Sequence, residues 1–432
     1  MARLKGDPIP NGYVARGVRG RAVNVRVDVD SAYRAEAARQ RAIWNHFLAI
    51  QIETYHVLGE FVFYHEMARR LTLLRQADVW IGLGGIAAQQ TTLRNLERAL
   101  KDSFPSTSNR KGFPRFRRAA ARNDRITVPG ISVRTVILGD GVLSHLRLPN
   151  MPLLRVRNLK IPPGARITNA TVAMDGDGWS VSLGMIATAP IVPAPAVPSL
   201  GVDMGLRVLA TAANVDLDLV IEIDNPKALV GALVRLRRSN QKLSRRTKGS
   251  VGFKRAAKEI ARRHRRVADL RRGHHHRATR RVVDMAAHIS VETLSVRGMM
   301  GSRSARAVAD AAMGGFLEKL KYKAAWAGRG FAALGRFERS TGCCPDCETV
   351  GPKLDRAVRH WTCAVCGIHH ERDLAAARWI DMVGRRSPEP ETAVPPPKRG
   401  PAVVGKAALC AAARRGPPSN VPTMHHHGAS TG

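Results

Sequence analysis

Five of the six cysteines fall between Cys343 and Cys366, and Cys410 stands alone. Within that stretch Cys344-x2-Cys347 is followed, after fifteen intervening residues, by Cys363-x2-Cys366. Two such knuckles at this distance have the spacing of a zinc ribbon, because each bends both of its sulfurs toward one ion and four thiolates close a tetrahedral shell. A closed shell leaves no place for water, so one zinc held here is expected to be structural. In a reducing compartment, clustered cysteines read as a metal site before they read as disulfides. Cys343 is one residue out of register and reads as a spectator.

Three acids stand out, two of them in or beside apolar strands where a carboxylate is costly. Gly201-Val202-Asp203-Met204-Gly205 puts an aspartate in an apolar strand, Ile289-Ser290-Val291-Glu292 puts a glutamate at the end of another, and Arg372-Asp373-Leu374-Ala375 puts an aspartate at a helix start. An unpaired buried charge is expensive, and a divalent cation compensates it. Magnesium takes hard oxygen ligands, and carboxylates can bridge two such ions. A two-ion site can activate a water and stabilise the leaving oxygen of a phosphodiester. Asp203, Glu292 and Asp373 are therefore the candidate catalytic acids, holding two magnesium ions. Taken singly, Asp203 could be a turn residue and Asp373 a helix cap. Glu292 is harder to dismiss, because its strand is so apolar.

Lysine and arginine number 70 against 34 acids, a formal charge of +36. That surplus is too large for a solubility device and points to a polyanion, with nucleic acid first. A membrane surface is the rival. No apolar run approaches the roughly 18 to 20 residues of a spanning helix, and Met1 to Pro10 has no apolar leader core. The protein is expected to work in the cytoplasm and not at a membrane. The densest basic stretch carries Arg238, Lys242, Arg245, Arg246, Lys254, Arg255, Lys258, Arg262, Arg263 and Arg266, with Glu259 and Asp269 as the only clear acidic partners. Charge this unrelieved is explained if phosphates fill the gaps, and such contacts weaken with salt. Arg115, Arg117 and Arg118 interleave with Phe113 and Phe116, a mix that could grip a backbone, stack a base or form a packed turn. His274-His275-His276 point in different directions on a helix, which suits a surface or nucleic-acid role better than one metal ion. His425 to His427 lie in the tail and carry little meaning.

These residues need elements to place them. Val23, Val25, Val27 and Val29 alternate, and Val18 to Asp30 reads as a strand. Ser31 is a candidate cap for a helix from about Tyr33 to Glu60, and Ala87 to Phe104 reads as another. From Arg125 to Thr188 short β-branched runs alternate with turns, including a hairpin through Met174 to Gly178. A small antiparallel barrel is plausible there, and Pro190 to Pro198 is a linker. Leu200 to Ala213 reads as a buried strand with a turn, Ala228 to Val283 as two basic helices joined around Thr247 to Gly252, and His288 to Glu292 as a short strand. Phe316 to Gly328 is helical, and Gly330 to Phe337 leads by a strand into the cysteines. Gly384 to Gly432 is poor in core residues and reads as a disordered basic tail.

The order of these pieces resembles the TnpB family, the transposon-encoded RNA-guided nucleases, and their descendants, the compact type V CRISPR effectors. Gly201 to Ala210 is similar to the first RuvC motif, Ser290 to Met299 to the second, and His370 to Ala377, after the ribbon, to the third. Upstream, Gln89 to Leu100 and Gly112 to Phe116 resemble the family's recognition segment, and Phe316 to Gly328 the helix before its ribbon. The resemblance implies a multidomain α+β fold. Residues 1–30 and 120–195 would form a β-barrel wedge domain and 31–119 a helical recognition domain. Residues 196–342 and 368–383 would form a ribonuclease H-like RuvC α/β domain, interrupted at 343–367 by a zinc ribbon that binds target nucleic acid, with 384–432 as the tail. It further implies a guide RNA, a double-stranded DNA target and magnesium-dependent cutting by Asp203, Glu292 and Asp373, with Cys344, Cys347, Cys363 and Cys366 on zinc. The chain departs from the family pattern at Ala375 and Trp379, where asparagines are usual, and at Glu348, where glycine is common. An RNA-guided repressor that does not cut, or a ribonuclease H-like transposase or resolvase acting without RNA, are the alternatives.

Overall fold

A computed structural model of the protein describes residues 13–103, 112–118, 124–137, 141–188 and 192–386, apart from 158, 176–177, 302, 336, 353 and 356. The Met1–Pro10 start, Cys410, His425–His427 and the tail beyond residue 386 lie outside the described residues. The chain divides into two compact units that part after Thr188.

In the first unit seven strands form one antiparallel sheet: β1 (Tyr13–Ala22), β2 (Arg125–Pro129), β3 (Arg134–Ile137), β4 (Leu143–Arg147), β5 (Leu154–Arg157), β6 (Arg166–Asp175) and β7 (Gly178–Thr188). Their order is β2-β6-β7-β1-β5-β4-β3. The sheet curls around a single core that joins Ile126, Leu143, Leu146, Val172, Trp179 and Val181. The ladder itself does not close among the described residues, since β2 and β3 stand at its edges. The hairpin read from Met174 to Gly178 is present, with Met174 opposite Trp179.

Helices α1 (Val27–Leu58), α2 (Tyr64–Ala77), α3 (Val79–Gly82) and α4 (Ile86–Lys101) complete this unit. The alternating valines misled the strand reading: β1 ends at Ala22, and Val27 and Val29 already belong to α1. Asp28 and Asp30 lie in that first helical turn, where the helix dipole favours acids. Ser31 is thus inside the helix and does not cap it; its hydroxyl donates to the Asp28 carbonyl. Gly59 ends the helix at φ 69°, its N–H returning to the Tyr55 carbonyl, a left-handed cap that glycine adopts without strain. Ile43, Phe47, Leu93 and Leu96 pack between α1 and α4.

In the second unit a five-stranded sheet has the order β10-β9-β8-β11-β12. Its strands are β8 (Val197–Met204), β9 (Val208–Ala213), β10 (Val220–Asp224), β11 (Ala286–Val291) and β12 (Gly330–Ala333). The first three are antiparallel, whereas β11 runs parallel to β8 and to β12. Helices α5 (Ala228–Ser244) and α6 (Val251–Met285) form the basic hairpin, and α7 (Val296–Met299), α8 (Ala305–Ala311) and α9 (Met313–Trp326) follow β11. A two-stranded ribbon, β13 (His360–Thr362) with β14 (His369–Glu371), leads directly into α10 (Arg372–Arg386). Residues 384–386, read as the start of the tail, are therefore helix.

Helix α10 approaches the sheet very closely. A Cβ added at Gly201 on β8 would lie 2.0 Å from the Ala377 carbonyl oxygen, and one at Gly384 would lie 2.0 Å from the Ser290 hydroxyl on β11. Only glycine permits this contact at either place. An ion pair whose acid is buried also ties α10 to the sheet. Asp381 accepts from Arg385 at 2.8 Å and from the Val215 N–H at 3.0 Å, while Arg385 donates to Ser199 on β8 at 2.6 Å.

Candidate active site and metal centre

Strand register brings two of the acids together. Val202 on β8 stands beside Val291 on its parallel neighbour β11, so Asp203 and Glu292 follow side by side. Glu292 Oε1 accepts from the Met204 N–H at 3.3 Å. Asp373 enters from the first turn of α10. The Asp203 carboxyl is held well above the usual carboxylate range, by burial first and then by the negative fields of Glu292 and Asp373. Burial raises Glu292 as well. A carboxyl raised by burial and by the negative charges of two neighbouring acids fits a site built for divalent cations, because a cation removes the conflict.

Several neighbours escaped the sequence reading. Arg207, in the β8–β9 turn, lies 3.8 Å from Asp373 Oδ2 and 3.5 Å from Glu371. Arg359, just before β13, lies 3.5 Å from Asp373 Oδ1. Nothing in their sequence context marks them among 70 basic residues. Asp381 and Arg385 carried a faint signal, an acid and a base four apart on a helix. The unusual Ala375 and Trp379 are both buried, and Trp379 packs with Cys343 and Met382. Cys343 thus belongs to the core and stands apart from the other sulfurs.

Cys344, Cys347, Cys363 and Cys366 bring their sulfurs within 4.8 Å of one another. Cys344 and Cys366 are 3.6 Å apart, as are Cys347 and Cys363. With metal–sulfur bonds of about 2.3 Å, the edge of a tetrahedron is about 3.8 Å, so the cage fits a single ion. Burial pushes the Cys344 thiol up to about 12, whereas the Thr349 hydroxyl and N–H hold Cys347 down to about 6. A bound cation would bring all four to the thiolate form.

Arg238, Lys242, Arg245, Arg246, Lys254, Arg255, Lys258, Arg262 and Arg266 on the basic hairpin are exposed. Arg263 differs, because Glu259 holds it in an i,i+4 pair. The hairpin is anchored at its base by buried Asp310, which accepts from the Leu229 N–H at 3.0 Å and from Arg271 at 2.9 Å. Of the histidine triplet, His275 has no surface role. It is buried edge-on against Phe316, and burial holds its imidazole down to about 4.

The segment 112–118 is a packed strap. Phe113 is buried with Phe61, and Asn45 clamps both backbone groups of Arg117. The Arg117 guanidinium lies 3.6 Å from the Trp44 ring centroid, so this arginine is engaged in a cation–π contact. Arg115, Phe116 and Arg118 remain exposed.

Comparison with known proteins places these features in a family. The OrfB_IS605 family model, described as "Probable transposase", matches residues 188–303. A model described as "Cas12f1-like, TNB domain" matches residues 314–380. A Streptomyces pristinaespiralis protein named "Putative RNA-guided DNA endonuclease" is 32% identical over 355 residues, covering 80% of this chain and 83% of that protein. A Mycobacterium tuberculosis protein with the same description is 32% identical over 301 residues, covering 66% of this chain and 63% of its own length. A solved Cas12f1–sgRNA–target DNA complex aligns over 85% of this chain and 99% of that one, at 12% identity and a TM-score of 0.34, too low to carry structural detail across. Sequence identity sustained over most of a relative's length, together with the ordered motifs, shows that the chain belongs to the TnpB family.

Proposed function

We propose that the protein is an RNA-guided DNA endonuclease that cuts at Asp203, Glu292 and Asp373. What supports this reading most is that Asp203 near the end of β8, Glu292 just after β11 and Asp373 in the first turn of α10 lie close enough for the charges of Glu292 and Asp373 to act on the Asp203 carboxyl. The sheet order, three antiparallel strands followed by two parallel ones, supports a ribonuclease H-like RuvC domain. Magnesium ions bound by the carboxylates would activate a water for in-line attack and stabilise the leaving oxygen. Asp203 is carried, half-buried, on β8, and the glycine contacts of α10 set how closely the helix bearing Asp373 approaches that strand.

The four cysteines would hold one structural zinc in a ribbon that carries target nucleic acid to the acids. The seven-stranded sheet would serve as the wedge domain and helices α1 to α4 as the recognition domain. The exposed cations of α5 and α6 would grip phosphates of the guide RNA or of its duplex with the target, reading shape and charge while base pairing reads sequence. Coexpression of the protein with its flanking genomic sequence tests this. A defined RNA should copurify and be needed for cutting a matched double-stranded DNA. RNA-dependent binding without cutting would instead indicate a repressor, and cutting with no RNA at all a transposase or resolvase.

A further inference from the structure

The ribbon holds one buried group that zinc ligation leaves without a role. His370 lies on β14 between the second knuckle and α10, only 6% exposed. Its ring packs on Trp361, its cross-strand partner, with centroids 4.7 Å apart. Its Nε2 sits 3.2 Å from Cys344 Sγ and 3.7 Å from Asp346 Oδ2. A metal-bound Cys344 thiolate only accepts hydrogen bonds, so with the ion in place the 3.2 Å contact calls for the tautomer with the proton on Nε2. Metal-bound thiolates keep much of their charge, and a donor aimed at one both steadies the charge and fixes the sulfur's direction.

The backbone beyond His370 is tied to the ribbon at each step. The Arg372 N–H donates to the Arg359 carbonyl at 2.8 Å, and the Arg372 guanidinium donates to the Asp355 carbonyl at 2.6 Å. Arg359 in turn faces Asp373. Only Glu371 and Arg372 therefore separate the sulfur's partner from a candidate catalytic acid, with little freedom between them.

We infer that His370 is a positioning residue: it donates its Nε2–H to the Cys344 thiolate and so locks the metal shell of the ribbon to the strand that delivers Asp373. His370 is not a ligand in this arrangement, because the four sulfurs already close the tetrahedron. The inference rests on the zinc assignment of those cysteines.

The test uses the full chain with its copurifying RNA. Zinc content is measured first, then zinc affinity by competition with a colorimetric chelator. His370→Phe keeps an aromatic ring against Trp361 and removes the donor. His370→Gln keeps a donor at the reach of Nε2. The expected result is one zinc per chain in the wild type and affinity about 10- to 100-fold weaker in H370F, with H370Q close to wild type. At saturating zinc, H370F should cut with a lower kcat and unchanged target affinity. Cobalt substituted for zinc should show the same thiolate charge-transfer intensity in both proteins. Equal zinc affinity in H370F and wild type would overturn the inference while leaving the zinc site standing. A cobalt spectrum showing a lost ligand would overturn it in favour of direct ligation. Wild-type protein without zinc would overturn the zinc assignment, and the inference with it. Should H370F fail to fold, H370Q against His370→Asn makes the same comparison, since the asparagine amide stops short of the Nε2 position.

Discussion

Gly201→Ala should damage the active site without touching any acid. The new Cβ would lie 2.0 Å from the Ala377 carbonyl oxygen and 2.2 Å from the Asp381 nitrogen, both backbone atoms of α10. Real Cβ contacts essentially never fall below 3.0 Å, so strand and helix must part by about 1 Å or more. Asp203 is two residues beyond Gly201 on β8, and Asp373 is four before Ala377 on α10, so the parting separates those two carboxylates directly. A misplacement of about 1 Å in a catalytic constellation reduces rate by about 100-fold, equivalent to about 2.7 kcal/mol. Overpacking itself should remove about 1 to 3 kcal/mol of stability. Single-turnover cleavage and thermal melting read the two effects. Gly17→Ala is the control, because a Cβ there meets nothing within 4 Å. G201A protein that cuts at the wild-type rate and melts at the wild-type temperature would refute the idea that this close approach sets the acid geometry.

Asp381→Ala removes the buried partner of Arg385 and the acceptor of the Val215 N–H; because Arg385 is 30% exposed and keeps Asp216 as a partner, a loss of about 1 to 2 kcal/mol is expected in chemical denaturation, and an unchanged stability would show that the pair does not anchor α10. The raised Asp203 carboxyl makes a signed pH prediction. A carboxyl with a folded pKa above its unfolded value of about 3.9 favours the fold below that pH, and the contribution is lost as pH rises through the folded value. Metal-free Asp203→Asn should therefore melt above the metal-free wild type at neutral pH, with the gap closing toward pH 4, and magnesium should raise the melting temperature of the wild type only. Identical pH profiles for the two proteins would contradict the burial argument. Replacing exposed Arg245 and Arg246 by alanine should weaken RNA binding more at low than at high salt, with the slope of log affinity against log salt falling by up to about 0.9 for each phosphate no longer neutralised; an unchanged slope would remove both from the RNA interface.

What could be read in the sequence depended on whether the chemistry was local. The knuckles announced themselves because two residues of spacing decide where two sulfurs point. Asp203 and Glu292 were visible because an acid in an apolar strand is a local contradiction. The start of α1 was missed because four alternating valines outweighed Asp28 and Asp30, and burial of Val29 and Tyr33 beside the sheet settles the matter only in three dimensions. The strap at 112–118 was ambiguous for the same reason: its packed state depends on Trp44 and Asn45, about 70 residues away in sequence. Helix α2 carries no clear apolar stripe, with only Met67 and Leu71 buried along its 14 residues, and α3 is a single turn, so neither is marked in the sequence. Arg207, Arg359, Asp310 and His370 act through long-range contacts, which no single-sequence pattern encodes.

The central claim is that three carboxylates form one cation-dependent cutting centre. The most direct measurement is cleavage of a matched DNA target by purified RNA-bound protein, wild type beside Asp203→Ala, Glu292→Ala and Asp373→Ala, in magnesium and in EDTA, with target binding measured in parallel. Cutting by the wild type in magnesium only, and binding without cutting in all three variants, is the predicted result. Undiminished cutting by any one of the variants, or by the wild type in EDTA, would contradict it.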